Sequence, residues 1–220
     1  MKNLEIKDTL IDLILSEDDE ENTCKLNDLL DAGMNPNLSF SLDEYDSDKT
    51  LLEYCCRFGL ISYVNSLIKH NVKLDIFTED NETPLHLLAY NILNIDSKDS
   101  GNDVYNEIIK KIKHLINHQD KEGRTPLMLA VKSGDIDKAN LLIDNGADIS
   151  IIDCFGNNCL HFCFMENHPI NLQLDLINLL IEKNADSSLT NKLGMSPIDY
   201  YLKLHPPLSQ TPFSKKIRQI

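Results

Sequence analysis

Hydrophobic residues in residues 120–153 form two short runs on helical spacing. The first run begins at Thr125-Pro126 and stops near Gly134, and the second, centred on Leu141-Leu142, stops at Asn145-Gly146. Threonine is a favoured N-cap, proline suits the first helical position, and glycine adopts the left-handed conformation that ends many helices. The pattern therefore predicts two short helices that lie back to back, each with its own start and stop.

The same helix start recurs along the chain, with a capping residue first and an apolar residue third. The copies are Thr50-Leu51-Leu52-Glu53, Thr83-Pro84-Leu85-His86, Thr125-Pro126-Leu127-Met128, Asn158-Cys159-Leu160-His161 and Ser196-Pro197-Ile198-Asp199. From the cap positions 50, 83, 125, 158 and 196, the intervals are 33, 42, 33 and 38 residues. A second motif, a leucine pair followed by a Gly-Ala-Asp turn at residues 141–148, recurs in phase with the first. Two motifs in phase indicate a repeat protein.

A Thr-Pro-Leu-His helix start on a period near 33 residues, with the leucine pair and Gly-Ala-Asp turn, resembles the ankyrin repeat. The resemblance covers about residues 4–205. It implies an all-α fold, an ankyrin-repeat solenoid of stacked helix pairs with projecting β-hairpin fingers. Elementary physics agrees, because one such helix pair cannot bury its apolar face alone and must stack on neighbours.

The expected organisation follows from the motif positions, with degenerate units at both ends. The predicted parts are a capping helix pair (1–37), four repeats (38–77, 78–119 with an insertion at 91–103, 120–152 and 153–190), a C-terminal capping repeat (191–206) and a tail (207–220). The acidic run 16–22 is predicted to be a solvated loop before a helix near Cys24–Asp31. After the insertion, a long helix is predicted over Val104–His118.

Charge and composition restrict the partners and the location. The chain has 35 acidic and 21 basic residues, a formal charge of −14. This balance argues against nucleic acid and anionic membranes, which are recognised mainly through lysine and arginine. The segment MKNLEIKDTL lacks the apolar core of a secretion signal, and no apolar run approaches membrane-spanning length. We expect a cytoplasmic monomer without cofactors, located in host cytosol if it is a translocated effector.

One cluster invites a test for chemistry: Cys154, Cys159, His161 and Cys163. Zinc is bound by such residues, usually from paired positions on converging loops. Here Cys159 and Cys163 fall on small buried positions of the repeat, where free cysteine acts as a modest hydrophobe. We expect His86 and His161 to make structural hydrogen bonds at helix starts, as Glu53 does in a capping box with Thr50. We therefore expect neither a metal site nor an enzyme, with a zinc site or a cryptic site in the insertion as alternatives.

The expected function is protein–protein recognition, with the partner on the concave face formed by fingers and first helices, as the resemblance implies. Two fingers carry acids beside an aromatic residue, around Tyr45 and Phe77, and so predict a basic partner. The candidate contacts are Tyr45, Asp46, Asp48, Phe77, Glu79, Asp80, Arg124, Phe155 and Asn157. The alternative is an adaptor or effector of an intracellular pathogen that captures a host protein and recruits a second one through its tail or insertion.

Overall fold

The computed structural model describes residues 2–16, 18–43, 47–90, 98–166 and 168–204. Within them the fold is all-α, as predicted, with a single short pair of strands. The helices are α1 (Lys2–Leu15), α2 (Glu20–Asp31), α3 (Leu51–Phe58), α4 (Ile61–Lys69), α5 (Pro84–Tyr90), α6 (Lys98–Lys111), α7 (Pro126–Ser133), α8 (Ile136–Asp144), α9 (Cys159–Phe162), α10 (Ile170–Glu182) and α11 (Pro197–Leu204), with one 3-10 turn at Lys113–Leu115. The chain forms two compact units, one of residues 1–79 with 83–112 and the other of residues 80–82 with 113–220.

In the first unit, helices α1 to α6 cover one another's apolar stripes. Helix α3 contacts α1, α4 and α5, while α4 also packs on α2 and α6. Buried tyrosines satisfy carbonyls at the interfaces: the Tyr63 hydroxyl donates to the Leu13 carbonyl at 3.3 Å, and the Tyr105 hydroxyl donates to the Leu85 carbonyl at 3.0 Å. The helix pairs are thus joined by packing together with a few buried hydrogen bonds.

In the second unit, helices α7 and α9 form the centre of the packing. Helix α7 contacts α8 and α9, and α9 in turn contacts α10 and α11. Small residues at the interfaces, Ala130 in α7, Ala139 in α8 and Cys163 after α9, are completely buried. Small side chains let neighbouring helices approach closely, which explains why these positions carry alanine or cysteine.

The helix starts predicted at Thr50, Thr125 and Asn158 and the stop predicted near Gly134 are present. Thr50, Thr125 and Asn158 have extended backbones, and each side chain accepts the backbone N–H three residues later. Gly59 and Gly134 end α3 and α7 in the left-handed conformation, with φ of 69° and 82°. Local capping chemistry therefore determines the helix boundaries at these positions.

Of the two hydrogen bonds in the capping box predicted for Thr50 and Glu53, only the one to the Thr50 hydroxyl forms. The Thr50 hydroxyl accepts the Glu53 N–H at 3.1 Å. The Glu53 carboxylate does not return this bond but accepts from Arg57 Nε at 3.1 Å, one turn further along α3. A charged partner at i+4 on the same helix face competes with the N-cap N–H, because hydrogen bonds between charged groups are the stronger ones.

Two helix boundaries differ from the predictions. Helix α2 begins at Glu20 after the N-cap Asp19, so the expected loop over residues 16–22 is wrong at its end. Acidic side chains in the first turn of a helix are stabilised by the positive end of the helix dipole, which explains why this acidic stretch is helical. Helix α6 begins at Lys98, ahead of the predicted Val104, and stops at Lys111.

The early start of α6 has a packing explanation. The buried Val104, Tyr105, Ile108 and Ile109 form one apolar stripe on the core. Once that stripe is anchored, extending the helix toward its N-terminus is easier than starting a new one. The rest of the insertion, residues 91–97, lies outside the described residues, as does the tail 207–220.

The fingers are mostly tight turns. In the described part of the chain, the only strands are β1 (Ser39–Phe40) and β2 (Lys49–Thr50), which pair antiparallel with Ser39 opposite Thr50. The finger predicted over Leu74–Glu82 contains no strand. The predicted β-hairpin is therefore present at the base of the first finger.

Helix α4 has no N-cap side chain of its own and is capped from a distant loop. Its N-cap position, Leu60, makes no side-chain hydrogen bond, and Asp18 Oδ2 accepts the Ser62 N–H at 3.1 Å. The second oxygen, Asp18 Oδ1, is buried without a hydrogen-bond partner among the described residues, so desolvation offsets part of the gain.

We predict that Asp18→Ala lowers the free energy of unfolding by about 0.5–1 kcal/mol, because the first turn of α4 loses an acceptor. The measurement is urea unfolding followed by circular dichroism. Asp12→Ala, at an exposed position of α1, is the control and should change stability by less than about 0.5 kcal/mol. Equal losses in both variants would show that Asp18 does not act as the cap.

A histidine links the ends of α4 and α2. His70 Nε2 lies 3.0 Å from Asp31 Oδ1, and His70 Nδ1 lies 2.8 Å from the Ser66 carbonyl oxygen. The hydrogen bond to Asp31, with that to Ser66, raises the pKa of His70 above its usual 6.5. The protonated His70 therefore stabilises the folded state fully below pH 6.5, and this stabilisation is lost as the pH rises through the raised pKa of His70.

We predict that Asp31→Asn returns the pKa of His70 toward 6.5, because the carboxylate is the main cause of the shift. Titration of the imidazole proton signals by NMR in both proteins measures this change. Asp28→Asn, on the same helix, should leave the titration unchanged. The wild type should also lose its stability advantage over Asp31→Asn as the pH rises, and an advantage that grows with pH would contradict the assignment.

Candidate functional site

Three turns of the second unit repeat one backbone geometry. Residues 120–124, 153–157 and 191–195, here called the turn ladder, each place a glycine fourth, with φ of 77°, 80° and 71°. The second residue of each turn donates its N–H to the carbonyl of the residue that stands three positions before the preceding helix cap, Thr83, Thr125 or Asn158. These bonds are Lys121 N to Asp80 O at 2.9 Å, Cys154 N to Glu122 O at 2.8 Å and Lys192 N to Phe155 O at 2.8 Å. Successive turns are thus hydrogen-bonded in one fixed register.

A buried polar side chain holds each turn from within. Asp153 Oδ1 accepts the N–H groups of Phe155 and Asn157, both at 2.8 Å. The Asp120 carboxylate binds two backbone N–H groups of its own turn in the same way, at 2.9 and 2.8 Å. In the last turn, the Asn191 amide oxygen accepts from two N–H groups at 3.0 and 3.2 Å. All three side chains are buried, so their hydrogen bonds are shielded from water.

Sequence reasoning missed these three residues. Their signal was available, since Asp120, Asp153 and Asn191 each stand five positions before a helix cap and three before a glycine. Aspartate and asparagine commonly bond backbone N–H groups two residues later in turns. In an acidic chain, the sequence alone predicts that an aspartate lies on the surface. The burial of Asp120 and Asp153 results from the stacking of the turns.

The third residue of each turn points outward. In the three turns it is Glu122, Phe155 and Leu193, and Asp80 holds the corresponding position three residues before the helix cap Thr83. The exposed fractions are 69% for the Asp80 side chain, 55% for the Glu122 side chain, 58% for Phe155 and 72% for Leu193. The backbone beneath these side chains is held by the buried anchors and the bonds between turns. The turns therefore present varied side chains from a fixed backbone, which is the geometry of a recognition surface.

The structure exposes five of the nine candidate contacts. Asp48, Glu79, Asp80, Phe77 and Phe155 are exposed, and Phe77 has 49% of its surface accessible. Tyr45 and Asp46 lie outside the described residues. Asp80 is partly engaged, because its carboxylate lies 3.8 Å from Lys121 Nζ.

The other two candidates are built into the turns. Arg124 Nε lies 2.7 Å from Asp120 Oδ2, and an Arg124 terminal nitrogen lies 2.9 Å from Glu122 Oε2. Asn157 is buried, donates to Asp153 at 2.9 Å and accepts from Asn191 at 2.9 Å. Both side chains support neighbouring tips in this structure.

In the predicted cysteine and histidine cluster, Cys159 and Cys163 pack in the core and His161 caps a helix start. Cys159 and Cys163 are buried, and burial raises the pKa of the Cys159 thiol to about 12. His161 Nε2 donates to the Met195 carbonyl at 3.1 Å, while Nδ1 accepts the Asn158 N–H at 3.3 Å. The His161 ring thus links a helix start to the next turn. At the earlier helix start, His86 Nδ1 likewise accepts the Thr83 N–H at 3.1 Å.

Within the described ranges, no group of three or more histidine, cysteine, aspartate or glutamate side chains is placed to hold a metal ion. Cys154, the exposed member of the cluster, sits at a turn tip, apart from the buried thiols. Nor does any described helix have the length and apolar character needed to cross a membrane.

We predict that Asp153→Ala destabilises the protein by about 2–3 kcal/mol, because two buried N–H groups and the Asn157 amide lose their acceptor. Chemical unfolding measures the loss. Asp175→Ala removes an exposed carboxylate from α10 and should change stability by no more than about 0.5 kcal/mol. A loss as small for Asp153 as for Asp175 would refute the anchoring role.

One known protein family matches part of this chain. The family described as "Ankyrin repeats (3 copies)" matches residues 99–192. This range contains the turns at 120–124 and 153–157 and reaches the beginning of the turn at 191–195. The resemblance seen in the sequence motifs is thereby confirmed.

Several characterised proteins share part of this sequence. The transient receptor potential cation channel subfamily A member 1 of Homo sapiens is 30% identical over 138 residues, which cover 61% of this chain. An ankyrin repeat protein of Monkeypox virus is 32% identical over 141 residues, again 61% of this chain. The phosphocholine transferase AnkX of Legionella pneumophila is 25% identical over 245 residues and covers 98% of this chain.

All three relatives are much longer than the part that is shared. The matched regions span 11% of the human protein, 23% of the Monkeypox protein and 24% of the Legionella protein. The similarity therefore concerns the repeat array, and what each whole protein does is a property of that protein.

Proposed function

Because this chain is built from ankyrin repeats, which bind protein partners, we propose that it is a protein-recognition module with no reaction of its own. The observation that carries this proposal is the turn ladder, which holds exposed side chains on a hydrogen-bonded backbone. A preorganised surface binds with little loss of conformational entropy. The ladder also supports repeat boundaries at 120, 153 and 191.

The proposed partner of the first unit is a basic protein. Asp43, Asp48, Asp75 and Glu79 are exposed there, and Phe77 adds an exposed aromatic surface. The formal charge of −14 attracts a basic partner over distance and repels nucleic acid and anionic membranes. Asp80, in the second unit, presents a further exposed carboxylate. In this proposal the protein acts as a cytoplasmic monomer.

A second candidate function is supported by the Legionella relative, whose match covers 98% of this chain. In this alternative the protein is an adaptor or effector in host cytosol, where the repeats capture one protein and a separate segment recruits another. Deletion of residues 207–220 tests it, because one of two interactions should disappear while the other persists. Loss of both interactions, or of neither, would reject a role for the tail in recruitment.

We predict that reversing Asp46, Asp48, Glu79 and Asp80 to lysine weakens binding of a basic partner by at least about tenfold, because attraction becomes repulsion. Partners are recovered from cytosolic extract by pull-down with the full chain and identified by mass spectrometry. The wild-type interaction should weaken as salt is raised, since exposed charges are screened.

The matched control reverses four exposed helix acids, Asp8, Asp12, Asp137 and Asp175, and so makes the same change in net charge. This control should retain binding. Equal losses in both sets would reduce the effect to net charge, and an unchanged affinity in the first set would discard the acidic surface. Circular dichroism spectra of both variants check that the fold is intact.

A further inference from the structure

Three large apolar side chains stand exposed at the last two turns of the ladder, two within the turns and one, Ile152, directly before the turn 153–157. Ile152 has 45% of its surface accessible, Phe155 has 58% and Leu193 has 72%. We call these three residues the apolar tip patch. Phe155 and Leu193 hold the same third position of successive turns, where Asp80 and Glu122 stand in the turns before them. The chemistry of the tips therefore changes from acidic to apolar along the second unit.

Hydrogen bonds hold the backbone under the patch. The Phe155 N–H donates to Asp153 Oδ1 at 2.8 Å, and the Leu193 N–H donates to Asn191 Oδ1 at 3.0 Å. The Phe155 carbonyl accepts the Lys192 N–H at 2.8 Å, which places the two turns side by side. The Ile152 carbonyl accepts from Gln119 Nε2 at 3.0 Å. These hydrogen bonds fix the backbone that carries the three apolar side chains.

Lys192 supplies an exposed cation beside the patch, and two carboxylates of the ladder are engaged by other groups. Asp153 is occupied by backbone N–H groups, and Glu122 lies 2.9 Å from Arg124. The Lys192 side chain is exposed, and its backbone N–H donates to the Phe155 carbonyl one residue before Leu193. Among the described residues, the Lys192 ammonium has no carboxylate within ion-pair distance. A carboxylate brought to this position would meet an uncompensated cation next to apolar surface.

We propose that the apolar tip patch with Lys192 is a second binding surface, which takes a protein segment carrying apolar side chains beside an acidic residue. Ile152, Phe155 and Leu193 lose water-accessible apolar area to the segment, and Lys192 pairs with its carboxylate. This partner is chemically opposite to the basic partner proposed for the acidic tips. The second surface therefore does not need a basic partner, but it rests on the recognition function proposed for the turn ladder.

The test selects ligands for the full chain from a displayed library of random peptides. Enriched peptides are synthesised with a fluorescent label, and their affinities are measured by fluorescence anisotropy. We expect them to combine aliphatic or aromatic residues with aspartate or glutamate. Phe155→Ser with Leu193→Ser should weaken binding by at least about tenfold, as for other central apolar contacts. Lys192→Glu should weaken it less, and the difference from wild type should shrink at high salt.

Ile170→Ser is the matched control, because Ile170 has 52% of its surface accessible in the same unit but lies on α10. Its affinity should equal that of the wild type. The proposal is overturned if no peptide is enriched, if the enriched peptides lack acids, or if the Phe155 and Leu193 variant binds as well as the control. Peptides that instead lose binding in the variant with four acidic tips reversed belong to the acidic surface and also overturn it.

Discussion

A buried carboxylate or amide that bonds two backbone N–H groups of its own turn is the interaction on which the second unit depends. Asp153 shows the arrangement in full, since one oxygen holds Phe155 and Asn157 while the other binds the Asn157 amide. Each turn closes two backbone hydrogen bonds of its own, such as Asp153 N to Asn157 O and Gly156 N to Asp153 O, but these leave the N–H groups of its third and fifth residues without acceptors. The anchoring side chain supplies these acceptors. It also releases the backbone carbonyl of the third residue for the next turn, so the same residue stabilises the turn and sets the register between repeats.

Much of the fold was predictable because its signals are local. Thr125 and Gly134 act within one turn of chain, and their effect on a helix boundary is the same in any context. The insertion was harder, because the start of α6 at Lys98 depends on how firmly Tyr105 and Ile108 are buried against the rest of the unit. The acidic stretch before α2 was misassigned because charge alone does not distinguish a solvated loop from a first helical turn.

In the candidate site, too, features that depend on local sequence could be predicted, whereas features that depend on the stacking of turns could not. Exposure of Glu79, Asp80 and Phe155 was predictable, since they belong to turns between helix starts. The burial of Asn157 was not, because its partners Asp153 and Asn191 come together only when neighbouring turns stack. The anchors were overlooked for a related reason, since a buried aspartate is rare unless its hydrogen bonds are satisfied and the acceptor role is invisible in composition.

The separation between inward anchors and outward tips has a consequence for how such a protein changes over time. Asp80, Glu122, Phe155 and Leu193 occupy one structural position and include two acids, an aromatic ring and an aliphatic chain, yet the bond from the next turn uses only the backbone. Substitutions at Phe155 and Leu193 change the folding free energy little because these side chains are exposed, whereas Asp80 and Glu122 also pair with Lys121 and Arg124. Mutational drift can thus explore new partners at the tips without first losing the fold, whereas the anchor positions tolerate very few alternatives.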